Sequence, residues 1–105
     1  MMTKLKKAVE GLVDQELQLA SEEHGSNFHS AHEAYAVIQE EVDEAKDAMG
    51  YVEEWMRFVW DRVKKDIEEP ELFVHLKEYA MAVACEAIQV AAMAEKALRG
   101  YEVDG

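Results

Sequence analysis

The amino-acid sequence predicts an all-α protein, a single domain spanning residues 1–105 and built as a four-helix bundle. Apolar residues recur with the period of a helix along most of the chain, and no stretch shows the apolar–polar alternation of a strand. Glycine and proline are scarce, and Gly25, Gly50, Pro70 and Gly100 divide the chain into four helix-sized pieces. The predicted helices span about residues 3–21, 30–49, 51–67 and 71–99.

Composition restricts the class of protein. Half of the residues are hydrophobic, which argues against intrinsic disorder. With 11 basic and 23 acidic residues the net charge is −12, so we expect no binding to polymeric nucleic acid or to a membrane surface. The single cysteine excludes an intramolecular disulfide and suits a reducing compartment. No signal peptide or transmembrane stretch is recognisable, so a cytoplasmic protein is the expectation.

The first two predicted helices show clear start and stop signals. The apolar stripe of the first helix comprises Leu5, Val9, Leu12, Val13, Leu17 and Ala20. The second helix starts at Ser30-Ala-His-Glu33, which fits a capping box in which the serine and glutamate side chains bind free backbone N–H groups. Gly50 is the natural residue to end this helix.

The third predicted helix has an unusually wide apolar surface. One stripe comprises Val52, Trp55, Met56, Val59 and Val63. Phe58 and Trp60 lie to its sides, so the apolar arc is too wide for a helix with one face in water. This width predicts either a fully buried helix or a subunit interface, and with the latter a homodimer or homotetramer.

The fourth predicted helix follows Pro70, a residue typical of the first turn. Its stripe comprises Leu72, His75, Tyr79, Ala82, Val83, Val90, Met93 and Ala97. Glu86 lies at the centre of this stripe and Gln89 at its edge, so a carboxylate is directed inward. Lys77 and Lys96 are assigned to the solvated outer face, although either could reach a phosphate.

Two glutamates of the second predicted helix point the same way as its apolar residues. Glu41 and Glu44 fall within about 40° of Val37 around the helix axis, and Glu40 lies at the margin of that face. A buried ionised carboxylate is costly unless it is paired or binds a metal. Three explanations are open: a buried ion pair with lysine or arginine, a helix face open to water, or a metal site. Glu86, directed inward from a different helix, favours the metal site.

The donor set indicates which metal such a site would hold. Glu41, Glu44 and Glu86, with the amide oxygen of Gln89 as an auxiliary ligand, would form an oxygen-only cage between facing helices. Mg²⁺ prefers oxygen ligands in octahedral geometry, and Mn²⁺ is a suitable substitute. Bound Mg²⁺ would also let an acidic protein bind the phosphates of a nucleotide. A di-iron site is disfavoured because those bundles use Glu-x-x-His pairs, which neither motif provides.

These residues resemble a known family. Glu40-Glu41-Val-Asp-Glu44 is similar to the Glu-Glu-x-x-Glu motif of the MazG-like, all-α nucleoside triphosphate pyrophosphohydrolases, and the segment that begins at Glu86 looks like the small, prophage-type members. The resemblance covers about residues 28–98. It implies Mg²⁺-dependent hydrolysis of a (deoxy)nucleoside triphosphate to the monophosphate and pyrophosphate. It further implies a catalytic role for Glu40 and Glu41, with Glu40 either a metal ligand or the orienter of the attacking water.

The chain departs from the pattern of this family in two places. The second motif is Glu86-Ala-Ile-Gln89, with a neutral amide where the family has an acid, and the gap between the two motifs is longer than usual. His75 and Tyr79 are either substrate-binding side chains or packed core residues. The alternative function is therefore a catalytically silent, phage-type helical interaction module that keeps the fold with a degenerate metal site.

Overall fold

The computed structural model describes residues 2–103, which form three long helices joined by two short connections. The helices are α1 (Met2–His24), α2 (Ala31–Lys64) and α3 (Glu71–Val103). Residues 2–103 contain no strand, so the all-α fold class is confirmed. Within the same range, no helix is both long enough and apolar enough to cross a lipid bilayer.

The structure has three helices where the sequence predicts four, because α2 runs through Gly50 without a break. Gly50 does not have a positive φ angle, and the helical period of apolar residues continues on both sides of it. A glycine inside a helix costs only about 1 kcal/mol relative to alanine. Packing against α3 outweighs that penalty, and Tyr51, the next residue, stacks on Tyr79 of α3 at 5.1 Å between ring centroids.

The predicted capping box at the start of α2 is present in a modified form. Ser30 is the N-cap, and its hydroxyl accepts a hydrogen bond from the backbone N–H of Glu33 at 3.1 Å. The Glu33 carboxylate accepts a bond from the N–H of His29, also at 3.1 Å, rather than from that of Ser30. Gly25, with φ +85°, ends α1. Both ends of the connection between α1 and α2 are therefore held by local hydrogen bonding or backbone geometry.

Packing of all three helices occurs at one end of the molecule. α3 is central and contacts both α2 and α1. The buried cluster there consists of Leu17 of α1 with Ala92 and Met93 of α3. Around it pack Val13, Ala20, Phe28, Val37 and Ile38. This cluster anchors the C-terminal half of α1, whereas residues 3–12 are all exposed, including the predicted stripe members Leu5, Val9 and Leu12.

The molecule is long and thin, measuring 61 × 30 × 21 Å, with a radius of gyration of 17.8 Å. A compact domain of this length has a radius of gyration of about 13 Å. Many large apolar side chains of α2 and α3 are exposed as a result. We call the following set the apolar surface: Met49, Tyr51, Met56, Phe58, Trp60, Phe73, Val74 and Met81.

Replacement of Gly50 by alanine tests the continuity of α2. No atom outside the local helix backbone lies within 4 Å of a Cβ built at this position. Gly50→Ala is therefore expected to raise the free energy of unfolding by about 0.5–1 kcal/mol, because alanine loses less backbone entropy in a helix. Urea denaturation followed by far-ultraviolet circular dichroism measures the change.

Gly25→Ala is the matched control, since Gly25 has a positive φ that an L-residue adopts at a cost of about 1 kcal/mol. This variant is expected to be less stable than the wild type. If Gly50→Ala were destabilised in the same way, Gly50 would end a helix, contrary to the structure.

Candidate metal centre

The predicted site residues lie on facing turns of two helices. Glu41 and Glu44 lie one turn apart on α2, and Glu86 and Gln89 lie one turn apart on α3. Residues three apart in a helix project from the same side, so each helix presents a pair of oxygen-bearing side chains to the other. The antiparallel arrangement of α2 and α3 brings the two pairs together.

Three of these side chains converge. One carboxylate oxygen from each of Glu41, Glu44 and Glu86 lies within 4.8 Å of the other two, the only such group of potential metal ligands among residues 2–103. Glu41 and Glu86 are half-buried and Glu44 is exposed. In the described part of the chain, none of the three forms a salt bridge with a lysine, arginine or histidine. The ion-pair explanation therefore has no support in the structure.

Gln89 links the carboxylates of the two helices. With its amide nitrogen facing the cluster, Gln89 donates hydrogen bonds to Oε2 of Glu41 at 2.7 Å and to Oε2 of Glu86 at 3.3 Å. With the amide turned over, its oxygen faces the same two carboxylates and offers a fourth oxygen ligand. The same side chain thus suits the cluster in the absence of a cation and in its presence.

The environment of the cluster raises the pKa of two of its carboxyl groups. The pKa of Glu41 rises through partial burial and then through the negative charges of Glu44, Glu86, Glu40 and Glu16. The pKa of Glu86 rises through partial burial, a hydrogen bond with the Glu44 carboxyl group and the charge of Glu44. In both cases the cluster favours bound protons when no cation neutralises it.

The donor set fits a hard divalent cation. Octahedral Mg²⁺ binds oxygen at about 2.1 Å, so opposite ligands lie about 4.2 Å apart. The carboxylate oxygens lie within 4.8 Å of one another, and small side-chain rotations can shorten these separations to the distances that Mg²⁺ requires. Because Glu44 is exposed, the site also has room for the waters that Mg²⁺ usually keeps.

A cavity of about 670 Å³ lies beside the cluster. Its walls come from α1, the connection between α1 and α2, α2 and α3, and Glu41 and Gln89 form part of them. Its volume is in the range of small-molecule sites, which is about 300–1,000 Å³. A ligand in this cavity would be next to two of the proposed metal-binding side chains.

The other predicted site residues lie outside the converged group. Glu40 is exposed and contributes through its charge, which raises the pKa of Glu41. His75 stacks on Trp55 at 4.5 Å between ring centroids, and Tyr79 stacks on Tyr51. Neither His75 nor Tyr79 lines the cavity. Tyr79 precedes Glu86 by seven residues, about 10 Å along the helix, so packing between α2 and α3 accounts for both side chains.

Lys96 is not on the outer face, which corrects the assignment made from the sequence. The residue is only 4 % exposed, and its Nζ lies 4.4 Å from the centroid of the Phe28 ring. It lines the same cavity as Glu41 and Gln89. Helical spacing does indicate the inward position of Lys96, because a residue seven positions after Gln89 returns to nearly the same face of the helix.

Comparisons with known proteins provide no relative for this chain: no family model, no curated protein and no solved structure matches it. The resemblance to the MazG-like enzymes depends on the motif residues alone and stays a prediction. The geometry of the cluster is therefore the main basis for a functional proposal.

The raised pKa values predict a pH dependence of stability. The folded protein holds protons on Glu41 and Glu86 at pH values where the unfolded chain, with an ordinary pKa of 4.5, has released them. The contribution of these two groups to the free energy of unfolding is therefore fully present below about pH 4.5. It is lost as the pH rises through their raised pKa values in the folded protein. Thermal unfolding of the metal-free protein is expected to show a melting temperature that falls over this interval.

Glu41→Gln is expected to reduce this decrease in melting temperature with rising pH. The variant should also melt higher than the wild type at neutral pH, because an amide needs no proton to remain neutral. Glu53→Gln, which alters an exposed glutamate of α2, is the control for loss of one negative charge and should keep the wild-type profile. Identical profiles for Glu41→Gln and Glu53→Gln would show that the cluster does not control the pH dependence.

Proposed function

We propose that this protein binds Mg²⁺ through Glu41, Glu44 and Glu86 and hydrolyses a (deoxy)nucleoside triphosphate to the monophosphate and pyrophosphate. The observation that carries this proposal is the convergence of three carboxylates from two helices within 4.8 Å. Among residues 2–103 no basic side chain pairs with them, and their raised pKa values fit a site that a cation would neutralise. The motif resemblance supplies the reaction class.

Each side chain has a role in this proposal. Glu41, Glu44 and Glu86 hold the cation, which when bound neutralises phosphate charge and acidifies a bound water. Glu40 is exposed next to the cluster, where its carboxylate can orient a water and accept its proton. Glu41 also has a catalytic role, because it lies both in the cluster and on the cavity wall.

Gln89 is compatible with a working site. Its amide contacts both Glu41 and Glu86, so it can orient these ligands, as partners of metal ligands commonly do. As a direct ligand it would contribute a neutral oxygen in place of an anionic one. The expected consequence is a weaker site for Mg²⁺ than one completed by a fourth acid.

We also propose that the protein forms a homo-oligomer. The apolar surface, together with Leu5, Val9 and Leu12 of α1, comprises eleven large hydrophobic side chains that the single chain leaves exposed and that subunit contacts would cover. The length of the molecule, 61 Å, has the same implication, because a second copy packed along α2 and α3 would complete a four-helix bundle.

The rival function, a catalytically silent interaction module, is favoured by two observations. The apolar surface is also suited to a different helical protein, and Gln89 removes one charge from the cluster. Such a module needs neither cation binding nor turnover. The two functions therefore differ in measurable properties of the purified protein.

Turnover is expected when the protein is incubated with a panel of nucleoside and deoxynucleoside triphosphates and Mg²⁺, with release of pyrophosphate as the measurement. Glu41→Gln, Glu44→Gln and Glu86→Gln should each lower kcat/KM by more than about 100-fold, since loss of groups that merely support metal ligands costs about 10–100-fold. Mn²⁺ binding, followed by electron paramagnetic resonance, should weaken in the same variants.

Glu53→Gln is the matched control and should retain full activity. Gln89→Asp should bind Mn²⁺ more tightly than the wild type. Absence of turnover across the panel, combined with absence of Mn²⁺ binding, would reject the enzymatic proposal in favour of the silent module.

The oligomer is expected to dissociate when its apolar surface is made polar. Trp60→Ser and Phe58→Ser replace side chains that are 60 % and 46 % exposed in the single chain, so neither change should unfold the monomer. Size-exclusion chromatography with light scattering should give a dimer or tetramer for the wild type and a monomer for the double variant. A monomeric wild type would overturn this part of the proposal.

A further inference from the structure

Lys96 is the one charged side chain that is buried among those the structure describes. Burial of an ammonium group is costly unless an anion or several acceptors surround it. Within residues 2–103, Lys96 forms neither a salt bridge nor a side-chain hydrogen bond. Its three N–H donors are therefore available to a ligand.

The ammonium group of Lys96 is held in place by the Phe28 ring, whose centroid is 4.4 Å from Nζ. Phe28 itself is half-buried and packs against the buried cluster of Leu17, Ala92 and Met93, which restricts the position of its ring. A cation–π contact of this kind orients the lysine but leaves its N–H groups without acceptors. The Lys96 ammonium group is consequently oriented for ligand binding before a ligand arrives.

Lys96 lines two cavities, the one beside the glutamate cluster and a smaller one of about 290 Å³ that Phe28 and Tyr101 also line. No side-chain nitrogen or oxygen of the described residues is both sealed off and without a partner, so the unpaired Lys96 ammonium group reaches open space. Gln89 and Lys96 lie seven residues apart on α3, about 10 Å along one face of the helix. One small molecule in the cavity can thus contact both the cluster and Lys96.

The charges on the cavity walls indicate the class of ligand. Glu16, Glu23, Glu33 and Glu41 make the walls acidic, so a simple anion would be repelled. An anion that arrives with a divalent cation is not repelled, since the cation occupies the cluster and the anion reaches Lys96. A chain of phosphates combines several negative charges with high affinity for Mg²⁺.

We propose that Lys96, oriented by Phe28, binds a phosphate group of a polyphosphate ligand whose other phosphates contact the cation at Glu41, Glu44 and Glu86. The polyphosphate chemistry of the ligand rests on the function proposed above, whereas the availability of Lys96 comes from its own burial and lack of a partner. Lys96 is a binding residue in this proposal, and the protein uses it to select for negative charge at the far end of the cavity.

Calorimetric titration with inorganic tripolyphosphate, with and without Mg²⁺, tests the proposal without any assumption about the base. Lys96→Met keeps an unbranched side chain that is one atom shorter and removes the charge, and it should weaken tripolyphosphate binding by about 30-fold or more. Lys96→Arg should recover most of the affinity. Lys77→Met, a change at an exposed lysine of α3 that does not line the cavity, should bind like the wild type.

A structural role for Lys96 predicts different results. If the lysine only packs against Phe28, Lys96→Met should melt lower than the wild type and bind tripolyphosphate equally well; that result would overturn the proposal. Under the proposal, Lys96→Met melts no lower, because the ammonium group forms no salt bridge or side-chain hydrogen bond that its removal would break. Tighter binding of spermidine than of tripolyphosphate by the wild type would also overturn it.

Mn²⁺ binding separates this proposal from the metal centre. If the wild type binds Mn²⁺ and tripolyphosphate and Lys96→Met weakens neither, the cation site stands and the role of Lys96 is rejected. If Mn²⁺ does not bind but Lys96→Met still weakens tripolyphosphate binding, the phosphate contact of Lys96 stands, whereas the cation at the glutamate cluster and the proposed hydrolysis are rejected. If the wild type binds neither probe, both proposals fail.

Discussion

The antiparallel pairing of α2 with α3 is the constraint on which the candidate site depends. Tyr51 faces Tyr79, and four residues further along α2 Trp55 faces His75, four residues back along α3. The same register, followed seven residues in the other direction, places Glu44 opposite Glu86. The aromatic stacks and the carboxylate cluster are thus successive layers of one interface, and a shift of either helix would displace both.

This interface combines favourable and unfavourable contacts. Stacked aromatic rings contribute roughly 0.5–1.5 kcal/mol per pair beyond the area they bury. The carboxylate layer opposes them, since burial and mutual repulsion raise the pKa of Glu41 and Glu86. Acids held together against their repulsion are typical of functional sites, where surrounding packing supports a locally unfavourable arrangement. The buried cluster around Leu17 and Met93 supplies such support, and Met93 lines the cavity together with Glu41 and Gln89.

Sequence periodicity was sufficient to predict helices and the inward direction of Glu41 and Glu86, because each of these properties depends on neighbours within one or two turns. Glu44, predicted to point inward with them, belongs to the cluster but is exposed. Periodicity was insufficient at Gly50, where local propensity favours a helix end. The structure continues α2 because contacts with α3 on both sides of the glycine outweigh its propensity. Lys96 shows a related limit: helical spacing places it on the face of Gln89, but a lysine is solvated by default, and its contact with Phe28, in a separate connection, depends on the tertiary structure.

From the sequence alone, a helical and acidic protein can be predicted, with glutamates on the apolar faces of two separate segments. Only the packing of the helices brings those glutamates together, places Gln89 between Glu41 and Glu86, and makes Lys96 part of the wall of a cavity beside them. Helix formation and side-chain direction follow from local backbone geometry, whereas register and cavities depend on contacts between residues far apart in the chain.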